Sequence, residues 1–140
     1  MKCEFAYICP ILCLNKCQLN NGTIRNLNIL DVSVSASTYS GLVAHYSQGT
    51  SLIENVFVRG SFNGTGANNG FIVAQSISSG TNYTTLKNVI IVATNNGTAG
   101  STNILPFLAY RTHRVNAYDC YVVCGDLAGN EKIMALSGAT

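Results

Sequence analysis

Charge is scarce in this sequence. Asp, Glu, Lys and Arg make up 10% of it, where a soluble domain ordinarily carries about 25%. The net charge of +2 is spread along the chain with no basic cluster, which argues against a nucleic-acid partner. No run of 18 apolar residues occurs, so no helix of the kind that spans a bilayer is expected. Trp is absent, and His and Pro occur twice each. Cys9, Cys13 and Cys17 are spaced C-x3-C-x3-C, without the paired C-x2-C arms of a zinc ribbon, so no metal is expected. Gly64-x-Gly66 and Gly97-x-x-Gly100 lack the helix that a phosphate-binding loop introduces. No cofactor is expected either.

What fills the chain instead is 47% hydrophobic residues and a polar load of Asn, Ser, Thr and Gly. Such a chain of 140 residues can build a single core. Asn, Ser and Thr compete with helical backbone bonds and favour turns. Within that background a pattern recurs. Ile24-Arg25-Asn26-Leu27-Asn28-Ile29, Ile53-Glu54-Asn55-Val56-Phe57-Val58 and Leu86-Lys87-Asn88-Val89-Ile90-Ile91 align directly. Ala117-Tyr118-Asp119-Cys120-Tyr121-Val122 aligns with Asp in place of Asn. The anchors Asn26, Asn55, Asn88 and Asp119 stand 29, 33 and 31 residues apart. A second apolar segment follows each: Gly41-Leu42-Val43-Ala44, Gly70-Phe71-Ile72-Val73-Ala74, Leu105-Pro106-Phe107-Leu108-Ala109 and Lys132-Ile133-Met134-Ala135. Asn- and Gly-rich turns separate them.

Two short strands and two turns, recurring about every 30 residues, are expected in a stacked coil. The fold class predicted is all-β, a right-handed parallel β-helix or solenoid of about four coils. Residues 1–20 form a Cys-rich N-terminal segment, read as half a coil or a degenerate signal peptide, and residues 21–140 the repeat domain. Glu4-Phe5-Ala6-Tyr7 resembles Phe107-Leu108-Ala109-Tyr110, which suggests the second strand of a preceding coil.

The aligned columns predict side-chain directions. Positions two before, one after and three after the anchor are apolar and are assigned to the core. The position before the anchor reads Arg25, Glu54, Lys87, Tyr118, so opposite charges would meet between neighbouring coils. The anchors themselves are expected to form a ladder of side-chain hydrogen bonds. Two residues after the anchor stand Asn28, Phe57, Ile90 and Tyr121. Phe57, Ile90 and Tyr121 form an outward apolar stripe, a candidate surface for a glycan or a surface protein.

At these residues the chain resembles proteins with GLUG-type repeats, through Gly41-Leu42-Val43-Ala44 followed by Ile53-Glu54-Asn55-Val56-Phe57-Val58, with Ala at the final Gly of the motif. The resemblance spans residues 21–122. It implies a β-solenoid segment of a surface or secreted, adhesin-like protein, and no catalytic residues.

The function expected is therefore a non-catalytic structural or adhesive module, secreted or displayed on a cell surface. The sequons at Asn21, Asn63, Asn82 and Asn96 agree with secretion and are glycosylation candidates. One alternative is a carbohydrate-active β-helix enzyme, but Glu54 and Asp119 stand two coils apart, roughly 10 Å, and in different columns. His45 and His113 are read as surface residues in loops. Neither end carries a capping pattern, which suggests a piece of a longer protein, a remnant without independent function, or self-association end to end or along a sheet edge.

Overall fold

The computed structural model of the protein describes residues 2–4, 18–36, 41–64, 69–70, 72–77, 79–95, 104–105 and 112–124. Among them every strand pairing is parallel, no helix occurs and no sheet closes on itself. The chain alternates between two sheets. The smaller contains β2 (Gln18–Asn20), β4 (Ala44–Gln48), β7 (Val73–Ile77) and β10 (Thr112–His113), in the order β10-β7-β4-β2. The larger runs β1 (Lys2–Glu4), β3 (Thr23–Ala36), β5 (Ser51–Gly64), β8 (Thr84–Asn95) and then β11 (Val115–Tyr118), with β12 (Tyr121–Cys124) also on β8. β6 (Asn69–Gly70) pairs with β9 (Ile104–Leu105) as a third, two-stranded sheet.

Val, Ile and Thr fill the long strands, as a pleated half-buried surface favours. Their burial does not alternate uninterrupted. In β5, Ser51 and Ile53 are buried, then Val56 and Val58; in β8, Thr84 and Leu86, then Val89 and Ile91. The phase slips by one residue at Asn55 and Asn88. Both have left-handed backbone, with φ of 54° and 50°, as do Asn26 at 57° and Asp119 at 52°. Asn and Asp tolerate this conformation better than other side chains bearing a Cβ. One left-handed residue re-aims the strand, so positions three apart both face the core. Each fully buried Ile, Leu or Val there contributes roughly 1.5–3 kcal/mol.

The registers join the aligned positions of the sequence: Leu27 with Val56, Val56 with Val89, Ile53 with Leu86 and Ile90 with Tyr121. Burial fades at the last strand. Val122 and Cys120 are half-buried and Ala117 is exposed, not in the core as its column predicts, because β11 and β12 have a described neighbour on one side only.

Other expectations need correction. The apolar segments Gly41–Ala44 and Gly70–Ala74 are not themselves the second strands. The ladder starts at Ala44 and Val73 and runs on through polar residues. Gly41, Leu42, Val43 and Ala44 are all buried, and Val43 N and Ala44 N both donate to Ile72 O at 3.0 Å, so this stretch bends through the core instead of alternating. His45 and His113 consequently lie in β4 and β10, not in loops. Leu105 ends β9, while 106–109 and 132–135 fall outside the described residues. At the N-terminus, Lys2–Glu4 pairs with Thr23–Arg25 in the larger sheet, so it matches the first strand of the pattern and not the second. With Gln18–Asn20 in the smaller sheet, residues on both sides of the expected boundary at 20/21 share the same sheets.

A bulge interrupts β3 against β5: Leu30 and Asp31 together face Arg59, between the pairs Ile29–Val58 and Val32–Gly60. Asp31 is left-handed, φ 54°, as bulge residues often are. The irregularity presses Val32 onto Gly60, where an added Cβ would overlap the Val32 carbonyl oxygen and sit 2.6 Å from Val32 Cγ1. Gly60→Ala is therefore expected to lower stability by about 1–3 kcal/mol in urea unfolding. For Asn55→Ala the loss of left-handed tolerance and of side-chain bonds predicts roughly 2–4 kcal/mol. Asn55→Gly keeps the backbone conformation and should cost less; equal losses for the two would show that φ is not the constraint.

Candidate functional site

The outward positions of the larger sheet collect the candidate residues. Phe57 pairs in register with both Asn28 and Ile90, and Ile90 with Tyr121. The strands bring these four side chains into one row about 4.8 Å apart per step. Phe57 and Ile90 are half-buried, while Tyr121 is 61% exposed. The row offers apolar and aromatic surface and, at Tyr121, a hydroxyl. That suits packing against a sugar ring or an apolar side chain.

Polar rows flank it. Asn55 Nδ2 donates to Asn26 Oδ1 at 3.1 Å, and Asn88 Nδ2 donates to Asn55 Oδ1 at 3.0 Å. Asp119 lies level with Asn88, since Tyr118 pairs with Lys87 and Tyr121 with Ile90. In the next row Lys87 Nζ lies 3.0 Å from Glu54 Oε1, an exposed pair contributing about 0.2–1 kcal/mol. The register adds Glu4 beside Arg25, so that row reads Glu4, Arg25, Glu54, Lys87, Tyr118.

Several interactions escaped the sequence reading. Arg59 donates from Nε and Nη2 to the two carboxylate oxygens of Asp31, at 3.0 and 2.9 Å. Hydrogen bonding to that carboxylate, then its charge, raises the Arg59 pKa above its ordinary value. The opposite charges were visible, but the bulge offsets them by one position from any aligned column. Inside the core, Thr84 Oγ1 donates to Ser47 Oγ at 2.8 Å and lies 3.0 Å from Ser76 Oγ, all three fully buried. Ser51 Oγ donates to the carbonyls of Gln48 and Leu19. These hydroxyls seam the two sheets together. Arg114 Nη1 donates to Tyr83 Oη at 3.2 Å, with the guanidinium 5.5 Å from the ring centroid. His45 stacks on Tyr46 at 4.0 Å between centroids.

The carboxylates are dispersed. Asp31 is held by Arg59 and Glu54 by Lys87, and neither shares a row with Asp119. Among the described residues no group of three or more His, Cys, Asp or Glu could hold a metal ion, and no helix is long and apolar enough to cross a membrane. Of the glycosylation candidates, Asn21 is exposed and its Oδ1 accepts from Thr50 N at 2.9 Å. Asn82 Oδ1 accepts from Thr50 Oγ1 at 3.1 Å, which leaves the Asn82 amide nitrogen unused by these bonds. Asn63 lies in β5, and Asn96 lies outside the described residues.

Cys120 is a half-buried free thiol whose Sγ donates to Tyr118 O at 3.2 Å. Burial pushes its pKa up, the charge of Asp119 adds to that, and hydrogen bonds with the Val89 and Tyr118 backbones partly offset it. Little thiolate forms at neutral pH, so alkylation of Cys120, followed by peptide mapping, should run slower than for free cysteine and approach it only as pH rises beyond the ordinary thiol range. Thr84→Val, which removes the central hydroxyl of the buried trio, is expected to cost about 1–3 kcal/mol in denaturant unfolding.

No family model matches the chain, and no curated protein or solved structure does.

Proposed function

We propose that this chain is a non-catalytic structural or adhesive module, secreted or displayed at a cell surface, built as a right-handed parallel β-solenoid with turns of about 30 residues and akin to the GLUG-type repeats it resembles. The observation that carries the reading is the anchor row. Residues 29 and 33 positions apart in sequence are hydrogen-bonded side chain to side chain and share one left-handed backbone conformation. Local sequence thus returns to the same place in the structure at each advance of one strand, as in a stacked coil.

Phe57, Ile90 and Tyr121 form the binding row of this module, facing a glycan or a surface protein. The low charge and the four sequons support an extracellular setting. The dispersed, individually paired carboxylates support a role without turnover.

The test is binding of the secreted chain to a glycan array and to candidate surface proteins, alongside Phe57→Ser and Tyr121→Ser. Wild type is expected to bind, and each substitution to weaken binding at least about tenfold, as removal of an aromatic anchor does, with the circular dichroism melt of Tyr121→Ser unchanged. Equal binding by all three proteins, or none by wild type, rejects the row as the site.

A further inference from the structure

The anchor ladder has a direction. Each amide nitrogen donates to the strand before it, Asn88 to Asn55 and Asn55 to Asn26. Asn26 therefore keeps its own Nδ2 as a donor at the β3 end. At the other end Asn88 turns its Oδ1 toward the level of Asp119, an ionised carboxylate that has only acceptors. Neither can donate to the other. One end of the row presents a donor and the other an acceptor, both on left-handed backbone.

The outermost strands match in a second row as well. Val123 pairs with Val92, Val92 with Arg59, and Arg59 faces Leu30 and Asp31. Leu30 is 55% and Val123 58% exposed. Tyr118 and Tyr121, also more than half exposed, lie on the same outer edge as Val123. Large apolar side chains on an open sheet edge are what such edges normally avoid.

We propose that a second copy of this chain stacks head to tail on the first, its Leu27–Leu30 edge against β12, with Asn26 Nδ2 donating to Asp119 of the neighbouring copy and Leu30 covering Val123. β1 then acts as an edge guard. Its three residues occupy Thr23–Arg25, the level that β11 of the second copy takes, with Glu4 beside Arg25. Stacking displaces this short strand in exchange for the longer β11–β12 edge. The two surfaces differ, so the contact is heterologous and does not close; it propagates into chains of copies. The inference rests on the sheet registers and not on ligand binding by Phe57, Ile90 and Tyr121.

The test is size-exclusion chromatography with light scattering on the full chain over a wide concentration range. Wild type is expected to grow past the dimer as concentration rises. Glu4→Lys, which sets a cation beside Arg25 and loosens β1, should do so at several-fold lower concentration. Leu30→Lys and Val123→Lys block opposite ends: each alone stays monomeric, and an equimolar mixture forms a 1:1 dimer that grows no further. Phe57→Ser, which disables the binding row, leaves assembly unchanged. Wild type and Glu4→Lys both monomeric throughout overturn the proposal with no blocking variant needed. So does self-association of folded Leu30→Lys alone, which indicates a symmetric edge contact, or a mixture that fails to dimerise.

Discussion

The structure depends on a single backbone constraint: one left-handed residue in the same place in four successive strands of the larger sheet. A plain strand turns alternate side chains to opposite faces, and an apolar residue three positions from another would then be stranded outside. The left-handed residue shifts the phase by one and brings Ile53 and Val56, or Leu86 and Val89, to the same interior. Asn and Asp pay little for that conformation, and their short polar side chains project into a row where Asn26, Asn55 and Asn88 bond to one another. The backbone requirement and the ladder thus select the same residue type. Substitution for either reason alone would disturb both.

A second set of left-handed residues works between the sheets. Asn21, Gly49, Gly80 and Arg114 all have positive φ, and each lies in the connection from a strand of the smaller sheet to one of the larger. The connections bond to one another through Asn21 N to Gln48 O, Leu52 N to Gly22 O, Ser51 N to Tyr83 O and Thr84 N to Arg114 O. Stacking therefore satisfies turn backbone that a lone hairpin would leave to water. The buried hydroxyls of Ser47, Ser76 and Thr84 add polar contacts just inside this seam, each with a partner in a dry environment where an unmet bond is costly.

The candidate surface follows from the same repetition. Once Asn55 and Asn88 fix the phase, Phe57 and Ile90 must face away from Val56, Val58, Val89 and Ile91, and the parallel register aligns them with Tyr121. Nothing in this row brings acids, bases or nucleophiles together. The charged groups lie in neighbouring rows, neutralised by pairing across strands: Lys87 with Glu54, and Arg59 with Asp31. The scarcity of charge in the chain thus coincides with an outer face of apolar and amide rows rather than a cleft of titratable groups.

The aligned hexapeptides alone determined which residues sit level with one another, which columns are interior and where the Asn row lies, because parallel stacking converts sequence period directly into spatial contact. Even the direction of the charge pairing at Glu54 and Lys87 was legible. The sequence did not disclose why columns three apart share the interior, since that depends on φ at the anchor. The second strands were placed too early, because Leu42, Val43, Ile72 and Val73 have the apolarity of a strand while the hydrogen-bond ladder continues through the polar His45–Gln48. Lys2–Glu4 was assigned to the wrong sheet because three residues carry too little pattern to choose a partner. The Asp31–Arg59 pair was hidden by a one-residue bulge that only packing of Val32 against Gly60 fixes. Period is a property of the chain; phase, bulges and sheet membership belong to backbone conformation and to the neighbours a strand finds.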